Sequence, residues 1–144
     1  MQKPVVEVDT TIAAPPAKVW KAMQQGAMFP GTTIETDWTI GHPITFKGEW
    51  EGKRFTDRGE IQSLAEDREL SFTHWSDKDG SGNRPASYHI VKYDLSPHGD
   101  HTRVTLSQFN EGEDKSVDAK TRAEFEKNWT MMLDGLKQTV EGAH

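Results

Sequence analysis

Between Phe125 and Val140 the apolar residues Phe125, Trp129, Met132, Leu133, Leu136 and Val140 recur at three- and four-residue spacing. In a helix such positions stack on one face. The pattern predicts a helix from about Ser116 to Val140, about 25 residues or roughly 37 Å long at 1.5 Å per residue. Glu124, Glu126, Lys127, Lys137 and Glu141 fall largely off the stripe. A helix this long with one apolar face must lie on something. What precedes it in the chain reads almost entirely as strands.

Val5 to Ala13 is rich in β-branched residues and reads as the first strand. Ala14-Pro15-Pro16 ends it, and proline fits the first turn of a helix, where its missing N–H would be unpaired anyway. A short helix is expected from Ala17 to about Met23, closed by Gly26 and Pro30-Gly31. Further strands are expected at Ile34–Trp38, Ile44–Trp50, Phe55–Leu64, Leu70–Trp75, Ser87–Leu95 and Thr102–Phe109. The turns between them include Glu51-Gly52-Lys53, Ala65 to Arg68, the Gly/Asp/Ser-rich stretch Asp77 to Pro85, and Ser96 to Asp100. Connections of hairpin length mean an antiparallel meander rather than a parallel sheet. The expected fold is α+β: a curved antiparallel sheet of about seven strands wrapped around the long C-terminal helix, with a short helical region after the first strand. The whole chain, residues 1–144, reads as a single domain.

Composition narrows the function. The mean hydropathy of −0.78 is low, yet 13 aromatic residues (5 Trp, 2 Tyr and 6 Phe) sit inside the patterned segments, which marks a folded chain. The net charge of −6, with no Lys/Arg run, argues against nucleic acid and anionic lipid surfaces as partners. With no cysteine there is no disulfide, thiol nucleophile or thiolate metal site. Glu7 and Asp9 interrupt the N-terminal stretch, which does not read as a signal peptide, and no apolar run is long enough to span a membrane. The expected location is the cytoplasm.

The candidate site comes from the faces of the strands. Ile44, Phe46, Gly48 and Trp50 share one face, as do Leu70, Phe72 and His74, and Val104, Leu106 and Gln108. In Ser87–Leu95 the set His89, Val91, Tyr93 and Leu95 competes with Tyr88 and Ile90. The inner face is thus largely aromatic, with polar exceptions at His74, His89 and Gln108. Burial of aromatic walls supplies affinity for a small ligand, and a few polar groups fix its orientation. The expected walls are Trp38, Phe46, Trp50, Phe72, Trp129, Met132 and Leu133, with His74, His89 and Gln108 orienting a polar group. The alternative is that these residues are plain core, the polar ones bonded to backbone.

Other chemistry finds less support. His98-Gly99-Asp100-His101 gathers two imidazoles and a carboxylate, but in a turn and without HExxH spacing, so no metal is expected. GxSxG, P-loop and GxGxxG patterns are absent, and no cofactor is expected. His74 or His89 remains a candidate general base for a cyclase or hydrolase reaction.

The stretch from Ile12 to Met23, with Ala-Pro-Pro followed by Val19-Trp20 and Ala22-Met23, resembles the opening of the SRPBCC, or START-like, superfamily. Gly48-Glu49-Trp50-Glu51-Gly52-Lys53, Asp57-Arg58-Gly59-Glu60, Thr102 to Leu106 and the closing Asn128-Trp129 with Met132 to Lys137 resemble its branch homologous to activators of the ninety-kilodalton heat-shock-protein ATPase. The resemblance implies the helix-grip fold. It also implies a choice of functions, since the superfamily includes lipid carriers, hormone receptors, polyketide cyclases, oxygenase domains and chaperone activators. The chain lacks the Cys and His ligands of an iron–sulfur oxygenase, and no separate N-terminal activator domain is expected. The expectation is a module that binds a small apolar ligand and works as a monomer or homodimer. A chaperone or regulatory protein partner in the stress response is the alternative.

Overall fold

The computed structural model describes residues 4–29, 31–77, 83–86, 88–111 and 118–142. Strand β1, Val6–Ile12, is followed by helix α1, Pro16–Ala22, and a helical turn over Met23–Ala27 kinked at Gly26. Six strands come next: β2 Thr33–Glu35, β3 Pro43–Trp50, β4 Lys53–Ala65, β5 Glu69–Ser76, β6 Tyr88–His98 and β7 His101–Glu111. Helix α2, Ala119–Glu141, closes the chain. The seven strands form one antiparallel sheet in the order β1-β7-β6-β5-β4-β3-β2, a meander whose first strand returns beside the last. The helix-grip architecture expected from the periodicity is the one observed.

Most strands run one to three residues beyond their expected ends, because ladder pairing continues where side-chain alternation stops. β6 and β7 extend to His98 and His101, so the turn between them is only Gly99-Asp100. β2, by contrast, stops at Glu35 rather than Trp38. Trp38 itself has a φ of 57°, which no strand residue adopts. The β3–β4 turn is Glu51-Gly52, with φ of 52° and 78°, the twist that a two-residue hairpin turn requires.

β4, whose register against β5 shifts between Ile61 and Ser63, runs very close to β5 at Gly59. A Cβ there would lie 1.7 Å from the Thr73 carbonyl oxygen, so β5 crosses closer than any other residue would permit. The Glu60 N–H donates to the Thr73 hydroxyl at 2.9 Å in place of a ladder carbonyl. The register shift raises the local twist of the longest strand, which suits a sheet that curls over α2.

Helix α2 starts at Asp118, whose side chain accepts the Thr121 N–H at 2.7 Å. That bond holds the Asp118 carboxyl below its ordinary range. The expected start near Ser116 lies outside the described residues. Trp129, Leu133, Leu136 and Val140 are the buried face of α2, and Lys137 Nζ fixes its far end by donating to the Thr11 carbonyl at 2.6 Å. On β6 the set Val91, Tyr93 and Leu95 points inward with His89, which settles the ambiguous facing of that strand. Among the described residues, no helix is long and apolar enough to cross a membrane.

Candidate functional site

Near the N-terminal half of α2 the helix and the sheet do not meet fully, and a half-open cavity of about 280 Å3 remains. Its helix wall is Phe125, Asn128, Trp129 and Met132. The sheet contributes Phe46 from β3, Phe55 and Asp57 from β4, His74 from β5, His89 from β6 and Gln108 from β7. Phe29 and Thr32, from the segment after α1, complete it. Strand pairing explains the grouping: Phe46 lies opposite Asp57, His74 opposite His89, and Val91 opposite Gln108, so these side chains emerge from one face in adjacent rows.

Several of the rings meet edge to face. Phe29 meets Phe46 at 5.0 Å and Trp129 at 6.1 Å, and it lies parallel to the His74 ring at 6.2 Å. Phe125 meets His89 edge-on at 5.6 Å. Gly48 has room for no Cβ, which would stand 2.6 Å from the Phe55 ring; that ring therefore rests on bare backbone.

The polar groups form two sets. His74 Nε2 lies 3.1 Å from Asp57 Oδ2, with both side chains largely buried. The second set is a chain whose polarity starts at Trp129, because an indole N–H can only donate. It donates to Gln108 Oε1 at 2.6 Å, which turns the Gln108 amide nitrogen toward Asn110 Oδ1 at 2.9 Å. Asn110 Oδ1 in turn stands 2.8 Å from His89 Nδ1. The Gln108 amide nitrogen also lies 3.1 Å from His89 Nδ1, but the shorter contact is with the Asn110 oxygen, which can only accept; it assigns the proton to Nδ1 and leaves Nε2 of neutral His89 bare. Burial pulls the His89 pKa below its ordinary value, the bond with Asn110 opposes that shift, and the neighbouring charge of His74 adds to it. A neutral imidazole with a free Nε2 can accept a hydrogen bond or a proton.

Six of the ten expected site residues, Phe46, His74, His89, Gln108, Trp129 and Met132, come together around this cavity. Phe72 and Leu133 are fully buried and lie beneath the lining. Trp38 packs at the edge of the core, and the left-handed backbone at this position takes it out of the β2 row. The side chain of Trp50 falls outside the described residues. Sequence reasoning missed Phe29, Thr32, Phe55, Asp57, Phe125 and Asn128. Phe125 was visible on the helical stripe, but Asp57 had no signal beyond its place in a charged strand. At the β6–β7 turn, His101 pairs with Asp100 at 2.6 Å on the exposed surface. Among the described residues, no group of three or more His, Asp or Glu stands close enough to hold a metal.

Residues 13–141 match the model of the family described as Activator of Hsp90 ATPase homolog 1-like protein. The solution structure of ChR145 from Cytophaga hutchinsonii is similar, at 36% identity and a TM-score of 0.73, covering 95% of this chain and 93% of that one. The solution structure of the Aha1 dimer from Colwellia psychrerythraea has 18% identity and a TM-score of 0.69, over 94% of this chain and 95% of that one. CV1439 from Chromobacterium violaceum, a crystal structure, also has 18% identity and a TM-score of 0.69, over 94% and 96%. The last two likenesses concern the fold alone. No curated protein matches the sequence.

Proposed function

The chain belongs to the family of Activator of Hsp90 ATPase homolog 1-like proteins, and from that membership we propose that it is a binding module holding a small, largely apolar ligand between α2 and the sheet. The observation that carries this reading is the cavity of about 280 Å3, walled by aromatic rings, with most of its polar groups on the sheet side. Ligand sites have that composition, and their volumes begin at about 300 Å3. The size favours a body of one or two rings over a sterol. Phe46, Trp129 and Met132 serve as walls, while His74, His89 and Gln108 orient the ligand's polar group.

The test is thermal unfolding against fatty acids, sterols, flavonoids and small polyketide-like aromatics. A ligand at 100 times its Kd stabilises by about 2.7 kcal/mol. For a chain of this length that is a rise in Tm of roughly 9 °C, at about 2.1 cal/mol/K of unfolding entropy per residue. A shift for one chemical class supports the reading, and a flat response across the panel overturns it.

The family description favours a second reading, regulation of a chaperone ATPase through protein contact. It predicts that the protein alters the ATPase rate of a ninety-kilodalton heat-shock protein. An unchanged rate at saturating protein removes it. The dimer recorded for the Colwellia relative makes sedimentation a useful companion measurement.

A further inference from the structure

The hydrogen-bonding groups of the cavity wall are unbalanced. Most of the donors are spent within the wall itself: Trp129 Nε1–H on Gln108, one N–H of the Gln108 amide on Asn110 with the other toward His89, His89 Nδ1–H on Asn110, and His74 Nε2–H on Asp57. The acceptors are not. Asp57 uses Oδ2 for His74 and accepts nothing on Oδ1 from the described residues, and His89 keeps Nε2 bare. Thr32 and Asn128 can donate or accept and so decide nothing.

Charge points the same way. Among the described lining residues there is one carboxylate, Asp57, which shares one oxygen with the His74 imidazole, and no lysine or arginine. The rings of Phe29, Phe46, Phe55, Phe125 and Trp129 enclose the space, and a ring face attracts a cation with about 0.5–1 kcal/mol at exposed sites and about 2 or more when desolvated. The net charge of −6 draws cations toward the protein as a whole.

We propose that the cavity selects a protonated amine carried on a small apolar or aromatic body, with the ammonium donating to Asp57 Oδ1 and His89 Nε2 and the body lying among the phenylalanines. This inference rests on the reading of the cavity as a ligand site. A carboxylate ligand of the same size would face Asp57 and find each strong donor already committed. An alcohol would use one acceptor and gain no cation–ring attraction. The ammonium takes the second oxygen of Asp57, so the bond to His74 stays closed.

Isothermal titration with 2-phenylethylamine, 2-phenylethanol and 3-phenylpropanoate near neutral pH tests the idea. The amine is expected to bind about tenfold tighter than the alcohol, and the carboxylate most weakly. Asp57→Asn should erase the amine's advantage over the alcohol. Met132→Trp, which fills the cavity, should abolish binding of all three. A carboxylate or alcohol that binds as tightly as the amine overturns the proposal and leaves the cavity as a ligand site. If none of the three binds at millimolar concentration, the amine proposal falls, while the thermal panel decides the ligand-site reading by itself. The ranking in the natural protein decides the matter even if Asp57→Asn does not fold.

Discussion

The indole nitrogen of Trp129 and the amide oxygen of Gln108 meet at 2.6 Å, both side chains buried, one on α2 and the other on β7. This bond ties the helix to the sheet at the cavity wall and sets the polarity of every hydrogen bond behind it. Trp129→Phe keeps an aromatic ring on the stripe but strands Gln108 Oε1 in the interior. An unpaired buried acceptor costs about 1–3 kcal/mol. The variant should therefore lose about that much stability in urea. The amide of Gln108 is then free to turn, so the 15N shifts of His89 should change tautomer from Nδ1–H toward a mixture. A stability loss with an unchanged His89 tautomer would show that Asn110 alone sets it.

His89 makes the stability pH-dependent. Its folded pKa lies below the ordinary value of 6.5, chiefly through burial. Between the two values the unfolded chain binds more protons, so unfolding free energy rises with pH through that window. The contribution is fully present above 6.5 and is lost as pH falls through the window to the folded pKa. Urea titrations of the natural protein at pH values on either side should differ in this direction, and His89→Gln should remove part of the difference. An unchanged slope in the variant would assign the effect to another group.

Gly59 is a position where only glycine fits. A Cβ would meet the backbone oxygen of Thr73 at 1.7 Å, and backbone cannot step aside as a side chain can. Gly59→Ala should cost about 2–3 kcal/mol, the upper part of the range for overpacking. Gly41→Ala is the control: its φ is 86° but nothing lies within 4 Å of the added carbon, so it should pay only the left-handed penalty of about 1–2 kcal/mol. Equal losses would mean that the strand moves to accommodate the methyl.

How far the sequence could be read follows from what periodicity measures. The stripe from Phe125 to Val140 named the long helix because six apolar residues hold one face of it. The strands were legible as hairpins because Glu51-Gly52 and Gly99-Asp100 punctuate them. Periodicity gives the face of a residue and not its depth, so Phe72 and Leu133 were expected as walls yet lie beneath the lining. Phe29 was invisible, for it follows a kinked turn with no repeating pattern. Asp57 sits in Lys53 to Glu60, where charged residues fall on both faces and hide the alternation. Its position opposite Phe46 emerges only from the register. For His89, the rows that β5 and β7 supply on either side settle what its own strand left open.

Cavity and core respond differently to truncation. Phe72 is fully buried, and Phe72→Ala should cost about 3–5 kcal/mol, as loss of a core aromatic does. Phe55 is half-buried and rests on Gly48 at the cavity wall, so Phe55→Ala should cost much less. Any ligand that raises Tm in the natural protein should raise it less in Phe55→Ala. Equal stability losses for the two variants would place Phe55 in the core.

Tyr93 carries the last prediction. It is 1% exposed, and its hydroxyl has no hydrogen-bond partner among the described residues. Burial pushes the phenol pKa well above its ordinary value, so the group stays neutral near neutral pH. A buried polar group without a partner carries its desolvation penalty uncompensated. Tyr93→Phe deletes only that oxygen and leaves the ring in place. The variant should match or exceed the natural protein in stability, by up to about 1 kcal/mol, read as the urea midpoint at an unchanged slope. A loss of more than about 1 kcal/mol would mean that the hydroxyl bonds to a buried water, which such sites hold when two or more polar partners surround them.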